Sequence, residues 1–188
     1  MRNLRINYPK FKFNGALYLM TRIKVFDNNK KVKTAKIVAL AFLSLLLIWF
    51  TFDITGLKLG QTKLVTSAFI DEPIDFVFWL IFVGSFILFI LKDNVGKYVI
   101  TAFIFIWGAV QFSNYFKSKS GIASYNQFFS DTHHVIAASE NFVVKDTYHL
   151  ILDILILSAL ISLILFIIFK IKNKTTNSNL TENGDEKS

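Results

Sequence analysis

Four runs without a charged side chain, Ile37 to Phe52, Phe76 to Leu91, Tyr98 to Phe116 and Ile154 to Phe169, constrain this chain more than any other feature. A soluble core helix or strand interleaves polar residues at a period near 3.6 or 2, and these runs show little such alternation. Hydrocarbon is the simpler solvent for them. A helical span needs about 20 residues at roughly 1.5 Å rise to cross about 30 Å, and three of the runs fall about one turn short. Residues beside the runs must therefore sit at or below the headgroup boundary.

The expected fold is an all-α integral membrane protein, a four-transmembrane-helix bundle with spans at 35–53, 73–92, 97–116 and 147–170. A short loop (54–72) and a longer one (117–146) join the spans on one side. Residues 1–34 read as a basic interfacial segment, with aromatic and aliphatic side chains interleaved among cations as on a membrane surface. Residues 171–188, rich in Asn, Thr, Ser, Glu and Lys, read as a disordered tail.

Charge bias supplies an orientation, because Lys and Arg are retained on the cytoplasmic side. Of the 21 Lys and Arg, sixteen lie in the N-terminal segment, the 92–97 turn and the C-terminal tail, and five lie in the two loops. The expected arrangement is therefore N-in and C-in, in a cell membrane. The Lys-, Ile-, Asn- and Phe-rich composition suits a bacterial one. The net charge of +8 reads as this bias plus attraction to anionic headgroups, and no nucleic-acid motif accompanies it. There is no cysteine, which excludes disulfides in the loops and thiolate chemistry.

Small residues give the helices a basis for close approach: Ala35 and Ala39 in the first span, Gly84 and Ser85 in the second, Gly108 and Ala109 in the third, Ser158 and Ser162 in the fourth. In the first loop, the alternation from Ile54 to Leu59 is expected to pair with Lys63 to Thr66 around Gly60-Gln61. Pro73 suits the first turn of the second helix. The segment from Lys92 to Lys97 reads as a tight turn between the second and third spans.

Concentrated chemistry lies only at the loop end, where all three histidines occur. Asp131-Thr132-His133-His134 is echoed by Asp146-Thr147-Tyr148-His149. Each Asp-Thr pair is a candidate N-cap, accepting from orphan helical N–H groups. Capping leaves the histidines unexplained. On a helix Asp146, His149 and Asp153 share one stripe, and an Asp-His pair four apart is able to orient an imidazole as a base or to ligate a divalent metal.

Asp153 would lie about 9 Å inside a helix starting at Thr147. Aspartate is too short to snorkel, and an intramembrane acid is a functional-site hypothesis by default. His149 and Asp153 are accordingly the candidate catalytic pair. Asp53, Asp75, Gln111 and Asn114, at the same depth on the other helices, are candidate ligand-binding groups. A zinc site is conceivable from His133 or His134, His149 and Asp153, with Glu140 nearby, on clustering alone. No metalloprotease or serine-nucleophile motif is present.

Two functions stay open on these residues. One is a binding, accessory or protective protein that engages a lipid-linked ligand or another membrane protein through the outward-facing His/Asp pocket. The other is a membrane-embedded enzyme, a hydrolase or acyltransferase acting on a lipid or lipid-linked substrate at the outer leaflet, metal-dependent in one version. The helix count and outward site are similar to the layout of small lipoprotein-processing membrane enzymes such as signal peptidase II. Its paired-aspartate motifs are not evident, and no residue role follows. An apolar midplane without internal repeats disfavours a transporter.

Overall fold

A computed structural model describes residues 12–65, 67, 73–137 and 139–185. Residues 1–11 of the basic segment, 68–72 of the first loop and the last three residues of the tail lie outside the described residues. The elements in order are α1 (Lys12–Thr55), β1 (Leu57–Leu59), β2 (Thr62–Val65), α2 (Pro73–Leu91), α3 (Asp93–Ser113), a 3-10 turn (Asn114–Phe116), α4 (Lys119–Phe128) and α5 (Thr147–Asp185).

Four stretches are long and apolar enough to cross a membrane: Val25–Thr55, Pro73–Leu91, Asp93–Phe116 and Thr147–Thr176. Only 17% to 39% of each apolar window is buried within the protein, so most of its apolar surface needs another apolar solvent. Leu45, Ile48, Leu80, Phe105, Ile106 and Ile161 are each about half exposed or more. Lipid solvates that outer face, and the chain is a multi-pass membrane protein of all-α fold.

The helices form a ring in which α1 packs on α2 and α5, and α3 closes it from the far side against the same two. The seam is regular: Ala39, Leu43, Leu46 and Phe50 of α1 face Leu152, Ile156, Ala159, Leu163 and Phe166 of α5, all buried. These residues recur at three- and four-residue steps, which keeps one stripe of each helix on its neighbour. At the loop end Trp49 stacks on Tyr148 at 5.3 Å. The Trp49 indole N–H donates to the Tyr148 carbonyl and the Tyr148 hydroxyl donates to the Trp49 carbonyl, at 3.2 and 3.1 Å.

The small residues divide by environment. Ala39 and Ala159 are fully buried, and a Cβ on Gly108 would meet Ile156 of α5 at 3.1 Å. Gly84 has nothing within 4 Å, and Ser158 bonds its own helix at the Ile154 carbonyl, so neither mediates close approach. Gly96 is the tightest point: a Cβ there would lie 2.4 Å from the Phe89 Cα and 2.5 Å from the Leu88 carbonyl oxygen. The turn between α2 and α3 is therefore shorter than expected. Residues 93–96 belong to α3, and only Lys92 separates the helices.

The long helices also depart from the boundaries read in sequence. α1 begins at Lys12, and α5 continues to Asp185 through the segment expected to be disordered. Side-chain bonds tie the two helices together beyond the apolar runs, with Asn28 donating to Thr176 at 3.4 Å and Asn173 donating to Asn29 at 2.8 Å. About two turns nearer the apolar runs, Asp93, opening α3, receives Lys36 of α1 at 3.2 Å and Lys170 of α5 at 2.8 Å. One carboxylate thus clamps three helices at the end that bears both termini.

The hairpin forms around Gly60-Gln61 as expected but its first strand is shorter, since Ile54 and Thr55 belong to α1; Thr66 lies outside the described residues. Leu59 lies opposite Thr62, Lys58 opposite Lys63, and a bulge precedes the Leu57–Val65 pair. Gly60 takes φ +61° and Gln61 does not take positive φ, as in a two-residue Gly-X turn. Leu64 and Val65 are buried, so the hairpin folds down onto the bundle.

Candidate functional site

The loop end is built by three segments folded over α5: the hairpin, α4 and residues 129–146. The helix α4 had no counterpart in the sequence reading. Ser118 caps it by accepting from the Gly121 N–H, and Ile122 supplies its buried contact. Its C-terminal neighbour Phe129 organises the loop, since its carbonyl accepts from the Thr132 hydroxyl and from His134 Nε2, both at 2.7 Å. The backbone of His133 bridges two elements: its N–H donates to the Lys63 carbonyl and its carbonyl accepts from the Thr147 N–H. Lys63 also pairs with Asp131, whose carboxyl is held below the usual aspartate range by that ammonium.

Asp146 is fully buried and caps α5, with Oδ1 accepting from the His149 N–H at 2.8 Å. The same oxygen pairs with His149 Nδ1 at 2.8 Å, and Oδ2 accepts from the Thr132 hydroxyl at 3.2 Å. Asp131-Thr132 is not a second cap. Asp131 is turned to Lys63, the Thr132 hydroxyl to Phe129, and no helix follows.

The expected His149–Asp153 pair does not form: His149 Nδ1 pairs with Asp146, which the cap already holds beside it. Asp153 has other partners. Its Oδ2 accepts from Lys145 Nζ at 2.6 Å and from the Tyr115 hydroxyl at 2.9 Å. The Lys145 and Asp153 side chains are 2% and 6% exposed, so this is a buried ion pair. Lys145 also donates to the Gln111 carbonyl at 3.1 Å, and its ammonium lies 4.5 Å from the Tyr115 ring centroid. Burial pushes the Lys145 amine below the usual lysine range, while the Asp153 carboxylate pulls the other way. Asp153 Oδ1 is buried with no hydrogen-bond partner. Above this group Tyr125 of α4 is half-buried, and burial first, then the Asp146 and Asp153 charges, push its phenol above the usual range.

Of the candidate ligand-binding residues, Gln111 reaches the site through its backbone carbonyl alone. Asn114 opens the 3-10 turn that carries Tyr115. Asp53 is buried at the end of α1 and Asp75 lies in the first turn of α2.

The zinc and histidine-cluster expectations are corrected. Among the described residues no group of three or more His, Cys, Asp or Glu is placed to hold a metal ion. His133 is exposed and bonded to the Thr147 hydroxyl, His134 is bonded to the Phe129 carbonyl, His149 belongs to Asp146, and Glu140 is exposed. Asp153 already faces an ammonium, which takes the place a metal cation would need.

Lys145 and Tyr115 were not singled out from sequence. The available signal was a lone lysine closing the apolar stretch Phe142-Val143-Val144 immediately before a capping aspartate. A cation in that position is buried if the stretch is, and a buried cation demands an acid.

These features define a four-span membrane protein with a folded loop-end cap locked to the bundle by buried polar pairs. No protein-family model, curated protein or solved structure matches the chain.

Proposed function

We propose that the chain is a binding or accessory membrane protein that engages a ligand or membrane partner through the polar cluster of Asp153, Lys145 and Tyr115. The observation that carries this reading is Asp153 itself. One carboxylate oxygen takes two donors, while the other is buried and open. An unsatisfied buried acceptor is costly, and a ligand bringing an N–H or O–H donor would remove that cost. Tyr115, 42% exposed, forms the lip through which such a group would enter.

The test is mild-detergent purification followed by mass spectrometry of what stays bound. Wild type and a His133→Ala control should retain the same species, and folded Tyr115→Phe and Asp153→Asn should lose it. Retention by all four proteins, or by none, refutes the reading. The positive bias of the terminus-bearing end supports an outward-facing cluster with both termini cytoplasmic. In this cysteine-free chain, single cysteines at Ser139 and Ser188 should be labelled from outside and from inside, respectively, by an impermeant maleimide.

A second reading, an enzyme acting on a lipid-linked substrate, is favoured by the Asp146–His149 pair, in which a buried carboxylate orients an imidazole. His149 would then serve as a base, with Asp153 charging its surroundings. The first reading is stronger because capping and loop anchoring already account for Asp146. His149→Ala separates the two: loss of function in a folded protein with its bound species intact supports the enzyme.

A further inference from the structure

Where α1 begins and α5 ends, the two helices line a surface groove of about 440 Å³. Its α1 wall is a single face, since lining residues 27, 30, 31, 34, 35 and 38 recur at three- and four-residue steps. From Asp27 to Val38 that face runs about 16 Å along the helix axis. The two ends of the groove differ in chemistry. Lys30, Lys31 and Thr34 line one end, and Val38, Leu165 and Phe169 line the other. The change falls at the level of the Lys36–Asp93–Lys170 clamp, where the charge-free runs of α1 and α5 begin and end. The groove therefore crosses the boundary between headgroups and hydrocarbon.

We propose that this groove binds an anionic phospholipid, its phosphate at Lys30 and Lys31 and one acyl chain along Val38, Leu165 and Phe169. Charge complementarity selects the occupant. Asp27, the one carboxylate lining the groove, is already paired with Lys31 at 2.6 Å, while Lys30 meets no carboxylate among the described residues. The groove end thus carries one uncompensated cation with a second beside it. A neutral transmembrane helix or a second copy of this chain would leave that charge unmatched, and a copy would bring its own cations to the same place. A lipid phosphate matches it, and juxtamembrane lysines attract anionic headgroups strongly enough for each to raise binding several-fold. From Lys31 to Val38 the groove runs about 10 Å, which holds the upper half of one chain and leaves the rest in the bilayer. This inference concerns the opposite end from the Asp153 cluster and does not depend on the reading proposed there.

The full chain, purified in mild detergent, is titrated with phosphatidylglycerol or phosphatidylcholine of the same chain length, and bound lipid is counted by native mass spectrometry. One phosphatidylglycerol should be retained with roughly tenfold preference. Lys30→Gln/Lys31→Gln should abolish the preference, and Val38→Trp, which fills the apolar end, should lower retention of both lipids. Lys92→Gln/Lys172→Gln, which removes two cations outside the groove, should change neither. Glycerol phosphate, a headgroup without a chain, should not displace the lipid. Equal binding of the two lipids overturns the proposal, as does an equal loss in the control double variant. So does efficient crosslinking between copies through Val38→Cys in phosphatidylglycerol nanodiscs.

Discussion

Asp153→Asn is the substitution whose outcome the structure constrains most. It keeps shape and volume but removes the carboxylate that neutralises Lys145, whose side chain is 2% exposed and 2.6 Å away. Breaking a buried ion pair from one side costs about 3–5 kcal/mol, because a charge is left without compensation. The Gln111 carbonyl and the Tyr115 ring still solvate the ammonium, which places the expected loss near the lower end, about 3 kcal/mol. For a chain of this size that is roughly 6–12 °C in Tm. Lys145→Met/Asp153→Leu removes both charges and should recover most of the loss, since a well-packed apolar replacement of a buried pair is often neutral. The assay is thermal unfolding in one detergent for wild type, Asp153→Asn, the single variants Lys145→Met and Asp153→Leu, and the double. A single variant within about 0.5 kcal/mol of wild type, or a double variant as weak as the worse single, would refute the claim that these groups form a buried, mutually compensating pair.

Other outcomes follow from specific contacts. Gly96→Ala should splay the α2–α3 turn and lower Tm clearly, because the new Cβ meets backbone atoms at 2.4 and 2.5 Å. Gly84→Ala, with open space around it, should be neutral or slightly stabilising, and a reversed order would refute the packing. Asp146→Ala should cost about 1–2 kcal/mol for the lost cap, more for the His149 imidazole left without its partner, and raise proteolysis of the loop that precedes α5. Asp131 titrates lower folded than unfolded, so its stabilisation is complete above about pH 4 and disappears as pH falls through its folded value. Being an exposed pair, it contributes at most about 1 kcal/mol. The readout is the protection of the His133 amide, which donates to Lys63, taken relative to its intrinsic exchange rate at each pH: acid should lower that protection in wild type, and Asp131→Asn should show the lowered value already at neutral pH.

The spans, their number and the hairpin were legible in sequence because each depends on local pattern: uninterrupted apolar length for a helix in lipid, alternation around a glycine for a two-residue turn. The Asp146 cap was legible for the same reason, as capping needs only a side chain and the next helical turn. The partner of Asp153 was not. Three- and four-residue spacings offer Asp146 and Asp153 to His149 on equal terms, and the choice was made once Asp146 was fixed as the cap. Asp153 then fell to Lys145, eight residues earlier, and to Tyr115 of another span, contacts that exist only when the loop folds back over the bundle. The same folding dispersed the histidines among separate backbone and side-chain partners. Sequence by itself determined that this chain dissolves its helices in a bilayer and gathers its histidines at one end and most of its cations at the other. Only tertiary structure decided which of those groups compensate one another, because burying a charge forces a pairing that no local rule can specify.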